Sequence, residues 1–332
     1  MMRGCELTPD PAEQGETTFE TNTHQFPSFK VHETGIQGAG RVSLGDCQRT
    51  TGTRASLGIE IHSVMSNLMT QHQELPDIQS LQDSRKIAID RVGVSHVRHP
   101  VVVTDTDGTS QPVVATFRMT VSLPGDVKGT HMSRFLQVLS EHQETLGPGR
   151  LDQLAQDLRS TLNAEIAQVD MDFPWFVSKP APITGEVGLI EYQVSLGIES
   201  GPKEDIRRFL TVAAPATSLC PCSKEISSFG AHNQRCELTA RIESSIPVGI
   251  AELGRKLESA ASCEIYSVLK RPDEKYVTEA AYENPKFVED IIRDLAIKLE
   301  SDDRICFFRI NSENFESIHG HNAWAEIERD LH

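Results

Sequence analysis

Thr217-Ser218-Leu219-Cys220-Pro221-Cys222-Ser223-Lys224-Glu225-Ile226-Ser227 runs on through Phe229-Gly230-Ala231-His232-Asn233-Gln234-Arg235-Cys236. A strand-like run, Phe209 to Ala214, precedes the stretch, and another, Arg235 to Glu243, closes it. Two thiols flank a proline, and an imidazole follows after nine intervening residues. Thiolate and imidazole suit zinc and similar divalent ions. Three readings compete. The cysteines can be small buried residues. They can belong to a structural zinc site in which Cys220, Cys222, His232 and Cys236 close the shell and leave no position for water. Or one thiol is a ligand and the other is free, in a catalytic site with an open position. The Cys-Pro-Cys spacing is short for both sulfurs to hold one ion, which tilts the reading to the last.

Working outward, the pattern is regular. His99 to Thr104 and Val113 to Leu123 carry strand-like Val, Thr and Phe content. Met132, Phe135, Leu136 and Leu139 recur at helical spacing, as do Leu151, Leu154, Leu158 and Leu162. Val187 to Ile198 and Phe209 to Ala214 return to strand, giving two strands, two helices, two strands. The second half repeats this in outline. Arg235 to Glu243 predicts a strand, and Pro247 to Ala261 a helix with Pro in its first turn. Phe287, Val288, Ile291, Ile292, Leu295 and Leu299 predict another helix, opened by Asn284-Pro285. Arg304 to Ile310 predicts a final strand. Tandem units of sheet plus two helices make an α+β protein. Residues 1–70 are rich in Thr, Gly, Gln and Glu without a sustained period, so they are expected to be a disordered or poorly ordered extension to an ordered body at 71–332.

The chain has 332 residues, 38% of them hydrophobic, enough for a sizeable core. Its net charge of −16 argues against a diffuse nucleic-acid surface. No apolar run reaches the roughly 18 residues of a membrane span, and the polar start lacks a signal-peptide core, so a cytoplasmic location is expected. Seven cysteines, an odd number, do not make a secreted disulfide framework.

Other residues add candidates. Glu274, in Arg271-Pro272-Asp273-Glu274-Lys275-Tyr276, can complete a Cys-His-Glu metal site, or sit in a solvated turn. Glu289 follows Val288 at the edge of an apolar helix face, and His319 lies beside Gly320. Lys128-Gly129-Thr130-His131-Met132-Ser133-Arg134 opens a helix, where backbone N–H groups favour an anion. Thr130 capping with scattered charges is the plainer reading. There is neither a P-loop nor a dinucleotide-binding glycine motif.

Taken together, Leu219 to Ser227 and Gly230 to Arg235 resemble the type IB GTP cyclohydrolase I family. So do Leu75-Pro76-Asp77-Ile78-Gln79-Ser80, Lys128 to Arg134, and His321-Asn322-Ala323. The resemblance runs from about residue 74 to the C-terminus. It implies tandem tunnelling-fold units, with antiparallel sheets and paired helices, assembled into a homo-oligomer, a homotetramer. It implies one divalent metal (zinc, manganese or iron) held by Cys220, His232 and Glu274, and catalytic roles for Cys222, Glu289 and His319. GTP is the implied substrate, with Lys128, His131, Ser133 and Arg134 holding its triphosphate. The expected reaction opens the guanine ring, releases formate and gives 7,8-dihydroneopterin triphosphate, at the start of folate synthesis. Cys222 would transfer protons or contact the base near C8, Glu289 would anchor the guanine N–H groups, and His319 would shuttle a proton. No nucleic acid or membrane partner is implied.

Three features depart from the family pattern: Cys236 stands where Ser is usual, Lys128 where Arg is more common, and residues 1–70 have no counterpart. Two alternatives remain at this point. One is a zinc-stabilised interaction domain without enzyme activity. The other is a related cyclohydrolase with a different pterin product.

Overall fold

The computed structural model describes residues 77–142 and 146–331. The proposed extension at 1–70 lies outside the described residues. The strands are β1 (Ile89–Thr104), β2 (Ser110–Leu123), β3 (Ala167–Pro180), β4 (Val187–Ser200), β5 (Ile206–Leu219), β6 (Asn233–Ser244), β7 (Cys263–Glu264), β8 (Ile305–Asn314) and β9 (Ala323–Asp330). The helices are α1 (Met132–Glu141), α2 (Asp152–Thr161), α3 (Pro221–Ile226), α4 (Ile250–Glu258), α5 (Arg271–Glu283) and α6 (Val288–Glu300). One antiparallel sheet takes the order β1-β2-β3-β4-β5-β6-β8-β9, with the short β7 beside β5. No helix among the described residues is long and apolar enough to cross a membrane.

The tandem pattern holds, but its phase differs from the sequence reading. The fourth strand of the first unit is Val187–Ser200, and Ile206–Leu219 opens the second unit. The strand passed over is β3. Its alternation is clean, with Ala167, Val169, Met171, Phe173 and Trp175 buried. Asp170, Asp172 and Pro174 on the other face hide the pattern. Pro174 has no N–H to donate, and the ladder between β2 and β3 stops at Thr116–Asp172. Beyond it, the Gln111 side chain takes over: its Nε2 donates to Phe176 O at 2.6 Å and its Oε1 accepts the Phe176 N–H at 3.2 Å. Arg271–Glu283 is a helix rather than the solvated turn considered for Glu274, because Pro272 at its start fits a first turn and Asp273 caps its own N-terminus.

All helices but α3 and α5 present apolar residues to one side. Phe135, Leu139, Leu154 and Leu158 meet Phe117, Met119, Val169 and Met171 in the first unit. Leu253, Leu257, Ile291, Leu295 and Leu299 meet Val212, Leu238, Ile242 and Ile310 in the second. Each such buried side chain contributes roughly 1.5–3 kcal/mol. The other sheet face is polar.

Two buried carboxylates tie the halves together. Asp105, after β1, accepts the N–H of Ile250 at 2.7 Å and of Ala251 at 2.9 Å, capping α4 from the other unit. A Cβ on Gly249, just before that helix, would come within 2.4 Å of Thr106 Oγ1. Glu258, at the end of α4, lies 2.8 Å from Lys179 Nζ of β3. Lys179 also reaches Glu264 at 2.7 Å and rests over the Tyr266 ring.

Candidate active site

The Cys-Pro-Cys turn follows from its local chemistry. Cys220 follows β5 in an extended conformation, and Pro221 occupies the first turn of α3, where a missing N–H costs nothing. Gly230, at φ 111°, turns the chain back into β6 through the left-handed region. Ser223 fastens the loop: its hydroxyl donates to Cys220 O at 3.1 Å and accepts the His232 N–H at 3.2 Å. The Cys220 N–H donates to His232 O at 3.2 Å. These bonds make Cys220 and His232 neighbours, both half-buried, while Cys222 is exposed; both thiols are free.

The His232 ring is oriented by partners the sequence reading missed. Its Nδ1 is 2.9 Å from Gln234 Oε1, 3.4 Å from Ser317 Oγ and 4.0 Å from Glu316 Oε2. Gln234 Nε2 points at Glu316 Oε1 and Ser218 Oγ, 3.4 Å from each. Glu316 carried no signal of its own beyond its place three residues before His319. The loop between β8 and β9 brings it back to the start of β6. His319 sits on the same loop, exposed, its ring stacked on His321 with centroids 5.3 Å apart.

Glu289 lies exposed in the first turn of α6. Its helix is anchored near the cysteines, because the Lys286 N–H donates to Leu219 O at 3.0 Å. Lys224 Nζ meets Tyr282 O at 2.5 Å, which brings the C-terminal end of α5 to the same corner. Glu274 is at the other end of α5, eight residues before Tyr282 or about 12 Å along the axis. It is exposed, with Arg271 at 3.9 Å. Its neighbour Asp273 is the buried one. Burial alone would raise the Asp273 pKa. Hydrogen bonds from Thr184, Lys270 and Ile183 instead hold the carboxyl well below the usual range.

Among the described residues, no three His, Cys, Asp or Glu side chains stand close enough to hold a metal ion. The donor chemistry of Cys220 and His232 fits a borderline-soft divalent ion. Glu274 is not brought to them within one chain. The closed four-ligand alternative fares worse. Cys236 belongs to the apolar core at 0% exposure, and burial pushes its thiol up to about 12, so it is held as a neutral thiol away from the exposed Cys222.

Lys128, His131, Ser133 and Arg134 follow β2, at the opposite end of the sheet. Strand register shows this: Leu123 pairs with Ile89, and that edge continues through Ala167, Ser200 and Ile206, while Leu219 and Asn233 close the far edge. Fourteen-residue strands separate the two ends by roughly 40 Å. At the β2 end, His131 precedes α1 without a side-chain cap, leaving first-turn N–H groups for an anion. Thr130 is buried and does not cap. The Asp77–Ser80 segment lies alongside: Asp77 Oδ2 is 3.2 Å from His131 Nε2, and Gln79 Nε2 donates to Thr130 O at 3.0 Å. Asp77, Thr130, His131 and Arg134 border a cleft of about 320 Å³.

The chain is thus an α+β scaffold with a thiol–imidazole corner at one sheet end and an uncapped, basic helix start at the other. The chain belongs to the family described as type I GTP cyclohydrolase FolE2, whose model matches residues 75–325. It is 48% identical over 264 residues to GTP cyclohydrolase FolE2 of Nitrosomonas eutropha, covering 79% of this chain and 99% of that one. It is 50% identical over 255 residues to GTP cyclohydrolase FolE2 of Magnetococcus marinus, covering 76% and 96%. Among solved structures, the uricase of Arthrobacter globiformis aligns with a TM-score of 0.43 at 9% identity, over 73% of this chain and 93% of that one. The resemblance drawn from the sequence therefore holds for a GTP cyclohydrolase I, and the type its relatives carry is FolE2.

Proposed function

We propose that the protein is a GTP cyclohydrolase I: it opens the guanine ring of GTP hydrolytically, releases formate and yields 7,8-dihydroneopterin triphosphate for folate synthesis. The observation that carries this is the corner where Cys220 and His232 meet, with the exposed Cys222 two residues on, inside a chain that matches FolE2 enzymes over nearly their whole length. One divalent ion, zinc, manganese or iron, held by Cys220 and His232, would make hydroxide available for attack at C8, with Glu274 as third ligand only when a second copy supplies it, since one chain does not bring it to the pair.

The chain's own residues do the rest. Cys222 is exposed beside the corner and moves protons at the opening ring. Glu289, a carboxylate that accepts two N–H bonds at once, anchors the guanine edge. His319 carries a proton to or from the sugar. Lys128, His131, Ser133 and Arg134 hold a triphosphate that is not cleaved. Since these four lie at the far sheet end, we infer that a second copy supplies them, and that tandem tunnelling-fold units assemble into a homotetramer. A cytoplasmic location belongs to the same reading.

Incubating the purified protein with GTP and each divalent metal tests the proposal. Formate release together with an oxidisable, fluorescent pterin is the expected result. GTP left intact under every metal would sink it.

A further inference from the structure

On the sheet face turned away from the helices, Arg91, Arg118, Arg207 and Arg241 border one cavity of about 360 Å³. Strand alternation puts Arg118, Arg207 and Arg241 on the same face as Gln168 and Phe209. Gathering four guanidiniums is costly in a chain of net charge −16 unless something offsets their repulsion.

Three of the four are matched. Arg118 Nε is 3.2 Å from Asp170, Arg207 Nη2 is 2.7 Å from Glu243, and Arg91 Nη2 is 3.6 Å from Glu199. The Arg241 side chain makes no hydrogen bond or ion pair within 4.0 Å among the described residues. Its guanidinium rests on the Phe209 ring, 4.4 Å from the centroid, and Arg207 approaches the same ring at 5.1 Å. Stacking fixes a guanidinium while leaving its in-plane N–H groups free to donate. Burial draws the Arg241 pKa down, the Arg309 and Arg207 charges add to it, and Asp170 and Glu243 oppose it.

Gln168 is the second unmatched group. It is only 7% exposed, and its Oε1 has no donor. Its Nε2 reaches Asp170 at no better than 3.4 Å. A buried acceptor left without a donor is costly. The cavity therefore offers one unmatched cationic donor and one unmatched acceptor. A ligand that satisfies both carries an oxyanion and an O–H. Hydrogen phosphate has both on one centre, and a sugar or glycerol phosphate supplies the hydroxyl from its carbon chain.

We propose that this basin binds a phosphate-class oxyanion, as free phosphate or as a phosphate monoester, at Arg241 and Gln168. It shares no residue with the Lys128–Arg134 cleft and lies apart from the Cys220–His232 corner.

Calorimetric titration of the full-length protein tests this, using inorganic phosphate and, separately, glycerol 3-phosphate at chloride-matched ionic strength. Saturable binding is expected. Arg241→Gln should weaken it by roughly tenfold to a hundredfold, the worth of a charge-assisted hydrogen bond. Gln168→Leu, which keeps the side-chain volume, should weaken it in the same direction. Arg293→Gln, on α6 and paired with Asp290 away from the cavity, should leave it unchanged. Tighter binding of glycerol 3-phosphate assigns the site to a monoester, and equal or tighter binding of inorganic phosphate assigns it to the free ion. The proposal is overturned if neither ligand binds. It is also overturned if Arg241→Gln and Gln168→Leu, with wild-type melting temperatures, bind as the wild type does, or if Arg134→Gln alone removes the binding.

Discussion

Gln234 Oε1 lies 2.9 Å from Nδ1 of His232, and the far side of the same amide faces Glu316. A carboxylate only accepts, so the Gln234 NH2 must point at Glu316 and its carbonyl at His232. Nδ1 of His232 is then the protonated nitrogen, and Nε2 keeps its lone pair for a metal. Gln234 is a positioning residue that acts through the imidazole. Gln234→Leu should lower metal affinity about 10- to 100-fold, read as metal retained after dialysis against a chelator. A variant that holds metal as tightly as the wild type would refute this role.

Cys222 and Cys236 should separate cleanly. Cys222→Ala removes an exposed thiol and should leave the melting temperature and metal content intact while abolishing turnover. Cys236→Ala changes one buried atom in the core and should leave turnover intact, with a stability loss of about 1 kcal/mol. Metal analysis and melting curves on both proteins decide the matter. Loss of metal in Cys236→Ala would revive the closed four-ligand site.

Lys179 is 10% exposed, and its partner Glu258 is 1% exposed. Lys179→Met leaves Glu258 buried without its cation, at a cost of about 3–5 kcal/mol. Urea unfolding measures it. Glu258→Gln should cost less, because Glu264 still neutralises Lys179 at 2.7 Å. Equal losses in the two variants would show that the pair does not carry the difference.

Asp302 sets part of the acid limit. Hydrogen bonds from Arg304 and then Lys256 hold its carboxyl well below the usual range, with burial working against them. The contacts are 2.8 Å from Arg304 Nε and 2.6 Å from Lys256 Nζ. A depressed folded-state pKa gives stability that is present above the unfolded value, near 3.9, and lost as pH falls through the folded value. Asp302→Asn should be less stable than the wild type at pH 6, and the gap should begin to narrow below about pH 4 and close only as pH falls through the folded value. Denaturant midpoints across that range test it, and a gap that stays constant to the lowest pH contradicts the assignment.

The second unit was more legible than the first. The apolar spacing of Ile291, Leu295 and Leu299 marks α6, and Arg235 to Glu243 marks β6, because each buries one face and exposes the other. β3 escaped because its outward residues include Pro174, tolerated only where Gln111 replaces the missing ladder bonds. α5 escaped because just Asp273 and Ala281 of it are buried. At the site, the Cys220–His232 pairing was readable because the two residues close one short loop. Glu316 was not, since a loop more than eighty residues away in sequence delivers it. Nor does spacing along the chain reveal that Lys128 and Arg134 end on the opposite sheet edge from Cys220.

That separation gives the most direct test of where catalysis happens. Lys128, His131, Ser133 and Arg134 and the thiol–imidazole corner are roughly 40 Å apart in one chain, too far for both to touch one GTP. If a site joins the Cys220 end of one copy to the Arg134 end of another, lesions at the two ends should complement. Arg134→Ala and His232→Ala should each be inactive alone. Co-expressed in equal amounts with different tags and purified through both, the mixed oligomers should recover activity. Each site draws one end from each of two chains, so about a quarter of the sites are intact in a random mixture. If each site were confined to one chain, every chain in the mixture would carry a lesion and no activity would return. Mixed oligomers verified by both tags but devoid of turnover would place the whole reaction within a single subunit, and Lys128, His131, Ser133 and Arg134 would lose their assignment to the triphosphate.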